Sequence, residues 1–202
     1  QDVFSYSSSN PPPLEELETR LFAVHATSIL PETGILKAGR PPIPGTGRWN
    51  DEGSPSFHPT IHFSLGELVQ GHWGGSWENH PYAVIAPLRS LNQQLVNLYP
   101  YDTFIMGDLP ISENMVLFVP TGTDTTKLPK SIKVRRYDPA TSLRGVVDHF
   151  ITEQGGWPVQ MEPTSGIIGD SAKIFGVEIN TPGFFQRYMD TFPHLSYGNH
   201  VQ

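Results

Sequence analysis

Two triplets of one type stand in the first third of the chain, His25-Ala26-Thr27 and His62-Phe63-Ser64, each an imidazole followed two residues later by a hydroxyl. Paired imidazoles on strands can act as general base and general acid on a phosphodiester. Singly, a histidine at a strand end is just as readily a hydrogen-bonded structural residue. His58 and His62 are four apart, and His72 and His80 follow. On a helix that spacing would turn two rings to one side and could hold a metal. Pro59 and the alternation over residues 60–65 point to a strand instead, so no metal site is expected. The chain has no cysteine, which excludes a thiol nucleophile and a disulfide framework. Gly45-Thr46-Gly47 and Gly166-Ile167-Ile168-Gly169 are too short for a phosphate loop, and no Gly-Lys-Ser/Thr occurs.

The elements that must position these groups follow from local pattern. Proline at position 13 ahead of Leu14-Glu15-Glu16 suits a helix start, where the missing N–H costs nothing and acidic residues meet the positive dipole end. A short helix is predicted over 14–20. Strands are predicted over 21–25, 60–65, 82–87, 113–120, 132–137 and 173–179. Helices are predicted over 31–37 (closed by Gly39), near 91–97, over 142–153 and over 183–192. Residues 40–56 read as a long loop rich in proline and glycine, plausible only if it has work to do.

The chain has 202 residues, with 20 prolines, 19 glycines and only 16% charged residues. That balance favours short elements joined by many turns over a helical bundle. The length suits one domain. We divide it into an N-terminal segment and helix (1–20), a core (21–125) and a C-terminal extension (126–202). The formal net charge of −7 speaks against a general nucleic-acid binder, which would carry a basic face for phosphates. No apolar run has the length of a membrane span, and the N-terminus lacks the regions of a signal peptide. A start on Gln1 is expected of a trimmed chain.

In order along the chain, His25-Ala26-Thr27, Ile35-Leu36-Lys37-Ala38-Gly39, Ile61-His62-Phe63-Ser64 and Glu113-Asn114-Met115-Val116-Leu117-Phe118-Val119 resemble the ADP-ribosyltransferase superfamily, in its diphtheria-toxin and poly(ADP-ribose) polymerase-like branch. The likeness covers about residues 20–120. It implies an α+β fold with a split, mostly antiparallel β-sheet core and short helices, followed here by a C-terminal α/β extension. It implies NAD as substrate and transfer of its ADP-ribose to a protein side chain. Breaking the nicotinamide–ribose bond develops positive charge on the ribose, so a carboxylate beside it favours the transition state. The resemblance gives that role to Glu113. It gives His25 a catalytic and ribose-holding role, with Ala26 and Thr27 beside it. His62, Phe63, Ser64, Gln70 and Trp73 complete the expected cofactor site, Trp73 as the aromatic against the flat nicotinamide. Two positions depart from the pattern: Ala26 replaces the usual glycine, and His62 the usual aromatic.

Other readings of the same residues stay open. Using His25 and His62 together, the chain resembles the two-histidine phosphoesterases, which would leave Glu113 idle. A non-catalytic module that binds ADP-ribose or a protein is the third reading. His72-Trp73-Gly74-Gly75-Ser76-Trp77 is equally a glycine-hinged loop folding its aromatics onto the core. Residues 127–144 hold six Lys or Arg against one Asp. They read either as a solvated face or as a docking surface for an acidic protein partner. We expect a monomer with a protein acceptor and no nucleic-acid or membrane partner. By analogy alone, a secreted or host-translocated bacterial toxin or effector would suit the chain.

Overall fold

Phe22-Ala-Val-His-Ala-Thr27 forms the strand around which the fold is organised. In the computed structural model the described residues are 5–38, 60–65, 80–98, 103–157, 161–163, 171–174 and 177–197. Their strands are β1 (Phe22–Thr27), β2 (Ile35–Leu36), β3 (Thr60–Leu65), β4 (Tyr82–Pro87), β5 (Leu95–Leu98), β6 (Thr103–Met106), β7 (Leu109–Pro110), β8 (Val116–Pro120), β9 (Lys133–Tyr137), β10 (Met161–Pro163), β11 (Ser171–Ile174), β12 (Val177–Asn180) and β13 (Ser196–Tyr197). The helices are α1 (Leu14–Arg20), α2 (Leu143–Glu153), α3 (Thr181–Phe184) and α4 (Gln186–Thr191). The fold is therefore α+β, with mixed sheets and few helices.

Eight strands make one sheet in the order β13-β5-β6-β3-β1-β4-β8-β9. Pairing is antiparallel except for β8 with β9 and β13 with β5, which are parallel. β1 holds β4 along its whole length, from Phe22 opposite Pro87 to Thr27 opposite Tyr82. It holds β3 at Ala23 opposite Leu65 and Val24 opposite Ser64. The earlier residues of β3 pair with β6, Thr60 with Met106 through Phe63 with Thr103. β3 thus changes partner partway along, beside the end of β1 that carries His25.

The period of two along each strand divides the core between the faces of this sheet. Phe22, Val24, Ala83, Ile85 and Phe118 pack against Leu143, Val147, Phe150 and Ile151 of α2. Those helix positions recur at helical spacing, and Ser142 caps the helix by accepting from Gly145 N at 3.4 Å. On the opposite face Leu21, Ala23, Val84, Ala86, Leu117 and Val119 share a cluster with Leu17 of α1 and with Phe184, Phe185 and Tyr188. Tyr6, Trp157 and Leu195 belong to that same cluster, so segments from both ends of the chain close one core. The Tyr137 hydroxyl donates to Pro81 O at 2.6 Å and ties the end of β9 to the entry of β4.

Several elements differ from the sequence expectation. The predicted helix over 31–37 is a turn followed by β2: Gly34 takes φ +79°, its N–H donates to Pro31 O at 2.9 Å, and Ile111 N donates to Gly34 O at 2.9 Å. A methyl at Gly34 would stand 3.0 Å from Pro129 Cγ, so this position favours glycine by both conformation and space. The predicted helix near 91–97 is a turn leading into β5, drawn into the sheet by β6. β6 was not expected at all. The late strand opens at Val116, because Met115 N donates to Ser112 O at 3.1 Å and closes a turn over residues 112–114. The expected strand over 173–179 is the pair β11 and β12, and the expected helix over 183–192 is divided into α3 and α4.

The short pairing of β2 with β7 is held from the side by Asp108, whose carboxylate accepts from Ala38 N at 2.9 Å and from Lys37 Nζ at 3.1 Å. The Ala38 amide first, then Lys37, holds the Asp108 carboxyl below its ordinary value of 3.8. A depressed carboxylate contributes stability above the unfolded value, and that contribution is lost as pH falls through the lower folded value. Acidification below 3.8 should therefore loosen this corner. Hydrogen exchange at the Ala38 amide, normalised for intrinsic rate, should speed up below that pH and should be insensitive to pH in Asp108→Asn.

Candidate functional site

β1 brings His25 and Thr27, both half-buried, to the edge of a cavity of about 550 Å³, and Ala26 between them is not part of its lining. Strand alternation puts His25 on the face of Ala23 and Val84, the face covered by α1 and α4. The rest of the cavity wall is the segment from Ser28 to Lys37. That segment leaves β1 in a tight turn in which Ile29 N donates to Thr27 Oγ1 at 3.1 Å. Lys37, on the same wall, is the residue anchored by Asp108. The volume lies within the range of small-molecule sites.

His62, Phe63 and Ser64 lie on β3, the neighbour of β1, so the backbones of the two triplets run on adjacent strands. The register sets them out of phase. His62 is in step with Ser64, which pairs with Val24, and Val24 alternates with His25. Gln70, Trp73 and Trp77, the loop over 40–56, and His58 and His72 of the metal reading lie outside the described residues.

Glu113 is exposed in the turn that precedes β8. It lines a different cavity, of about 260 Å³, whose floor is Phe22, Ile85, Val116 and Phe150 and whose rim includes Arg89, Lys133 and Gln154. Those floor residues belong to the α2 face. His25 pairs with Val84, Val84 pairs with Leu117, and Glu113 is four positions before Leu117. Among the described residues the structure therefore brings His25 and Thr27 to one cavity and leaves Glu113 at another, across the sheet.

A pair that sequence reasoning missed adjoins the first cavity. Ser28 Oγ lies 2.8 Å from His80 Nδ1. Ser28 follows the β1 triplet directly and His80 stands just before β4. The antiparallel register that sets Thr27 opposite Tyr82 carries the next residues of both strands toward each other. The signal was present in the two strand ends, but only pairing of β1 with β4 could expose it.

Arg135 and Arg136 of the basic stretch have partners within the chain. Arg135 meets Glu153 at 3.1 Å and stacks 4.9 Å from the Phe150 ring centroid. Arg136 donates to Thr123 O and Thr125 Oγ1, each at 2.9 Å. Among the described residues no group of three His, Cys, Asp or Glu converges as a metal site, and no helix is long and apolar enough to cross a membrane. Compared with known proteins, the chain matches no family model, no curated protein and no solved structure.

Proposed function

We propose that the chain is a mono-ADP-ribosyltransferase of the split-sheet kind, cleaving NAD at its nicotinamide–ribose bond and passing ADP-ribose to a protein side chain. One observation carries the reading: β1 follows β4 to its last residue while β3 leaves it after Val24, and at that divergence His25 and Thr27 line a cavity of ligand size. A flat carboxamide such as nicotinamide offers both a donor and an acceptor to a strand end of this kind. His25, as donor or acceptor according to tautomer, would hold a ribose hydroxyl in the same cavity.

The reaction needs a carboxylate beside the ribose. Glu113 is the residue the sequence pattern nominates, and it lines the cavity on the α2 face. The test is incubation with adenine-labelled NAD and a cell lysate, following both transfer of label and release of nicotinamide. We expect His25→Ala to reduce both by about tenfold or more, and Glu113→Ala to cost about 100-fold or more. Transfer that survives Glu113→Ala removes the carboxylate role from Glu113. A wild-type chain that releases no nicotinamide with any lysate overturns the proposal.

A further inference from the structure

Ser28 and His80 are 52 positions apart in sequence, yet their side chains meet at 2.8 Å beside the cavity under β1. Ser28 is exposed at the end of β1, and His80 is half-buried. With its proton on Nε2, the imidazole accepts the Ser28 hydroxyl hydrogen at Nδ1. That contact is the minimal arrangement by which a serine, a weak nucleophile alone, becomes a strong one.

We propose that Ser28 is an activated nucleophile with His80 as its general base, and that the adjoining cavity takes esters of short apolar acids. Leu30, Ile35 and Leu36 supply an apolar wall next to Ser28. Ile29, the residue after the nucleophile, is 78% exposed, an apolar side chain left at the cavity mouth. In the reaction Ser28 Oγ forms a bond to the acyl carbon as its proton passes to Nδ1 of His80. The ester C–O bond breaks, and the alcohol leaves with that proton. Water then attacks the acyl-serine with His80 again taking a proton, releasing the acid and restoring Ser28. This goes beyond the NAD reading, and none of its readouts uses NAD.

A fluorophosphonate tests the nucleophile directly, since Oγ displaces fluoride to form a stable phosphorus ester. The intact chain should take up one group, mapped to Ser28 by peptide mass spectrometry, and should hydrolyse p-nitrophenyl butyrate; Ser28→Ala should do neither. His80→Gln should slow labelling by roughly tenfold or more, with its melting temperature showing that the variant is folded. Because the chain has no cysteine, Ser28→Cys offers a second measure in which the only thiol reports on the base. Its alkylation by iodoacetamide at neutral pH should fall by about tenfold when His80→Gln is added. An unlabelled chain, label at another residue, or equal rates with and without His80 would overturn the proposal.

Discussion

Phe118→Ala should lower the stability of the folded chain by about 3–5 kcal/mol. Phe118 is 1% exposed on β8, between Ala83 of β4 and Arg135 of β9 in register. Its ring meets Phe150 of α2 edge-on at 5.3 Å, and Phe150 meets Phe22 of β1 at 6.4 Å in the same manner. One ring thus links β8, α2 and β1. The nearest neighbour in register, Ala83, is too small to fill the space, and α2 is kept in place by Leu143, Val147 and Ile151 as well. The site therefore collapses poorly, which puts the cost at the upper part of the usual range. For a chain of this size the change corresponds to a fall of roughly 6–20 °C in melting temperature. Denaturant titration should show a lower midpoint with an unchanged slope. A loss below about 1 kcal/mol would mean that α2 settles onto β8 without the ring, contrary to the packing described.

The elements most legible in sequence were those whose own residues carry the decision. Phe22-Ala-Val and Ala83-Val-Ile are short apolar runs buried on both faces. Pro13 with Glu15 and Glu16 marks the start of α1, and Ser142 caps a helix whose Leu143, Val147, Phe150 and Ile151 recur at helical spacing. Where partners decide, the sequence misleads. Residues 91–98 hold leucines at a spacing compatible with a helix, yet Leu95–Leu98 is drawn into the sheet by β6, itself only four residues long. Glu113 sits in an alternating run that reads as strand, and one turn hydrogen bond from Met115 to Ser112 excludes it. The candidate site divides in the same way. The triplet on β1 was visible because three consecutive residues carry it, whereas the Ser28–His80 contact depends on the register of β1 against β4. The sequence pattern that linked Glu113 to His25 contained no information on which face of the sheet each would occupy.

A second large effect is expected at Gly156, just after α2. A Cβ there would lie 2.7 Å and 2.9 Å from Phe22 Cε2 and Cδ2, and 2.8 Å from Ile151 Cγ2. All three distances are shorter than real carbon contacts, and neither neighbour is free to withdraw. Phe22 is packed edge-on against Phe150, and Ile151 is a fully buried, branched side chain of the helix. The backbone is pinned as well, since Gly156 N donates to Ile151 O and Trp157 N donates to Arg20 O, both at 2.8 Å. Gly156→Ala should therefore cost about 1–3 kcal/mol through overpacking. Gly155 provides the internal control: it has φ +74° but nothing within 4 Å of where a methyl would stand, so Gly155→Ala should cost only the left-handed penalty of about 1–2 kcal/mol. The two mechanisms separate on removal of the neighbour. Phe22→Leu, which takes away the ring atoms nearest position 156, should offset part of the cost of Gly156→Ala and leave that of Gly155→Ala unchanged. Strict additivity in both pairs, measured by denaturant titration of the double mutants, would show that the Phe22 ring does not set the cost at Gly156.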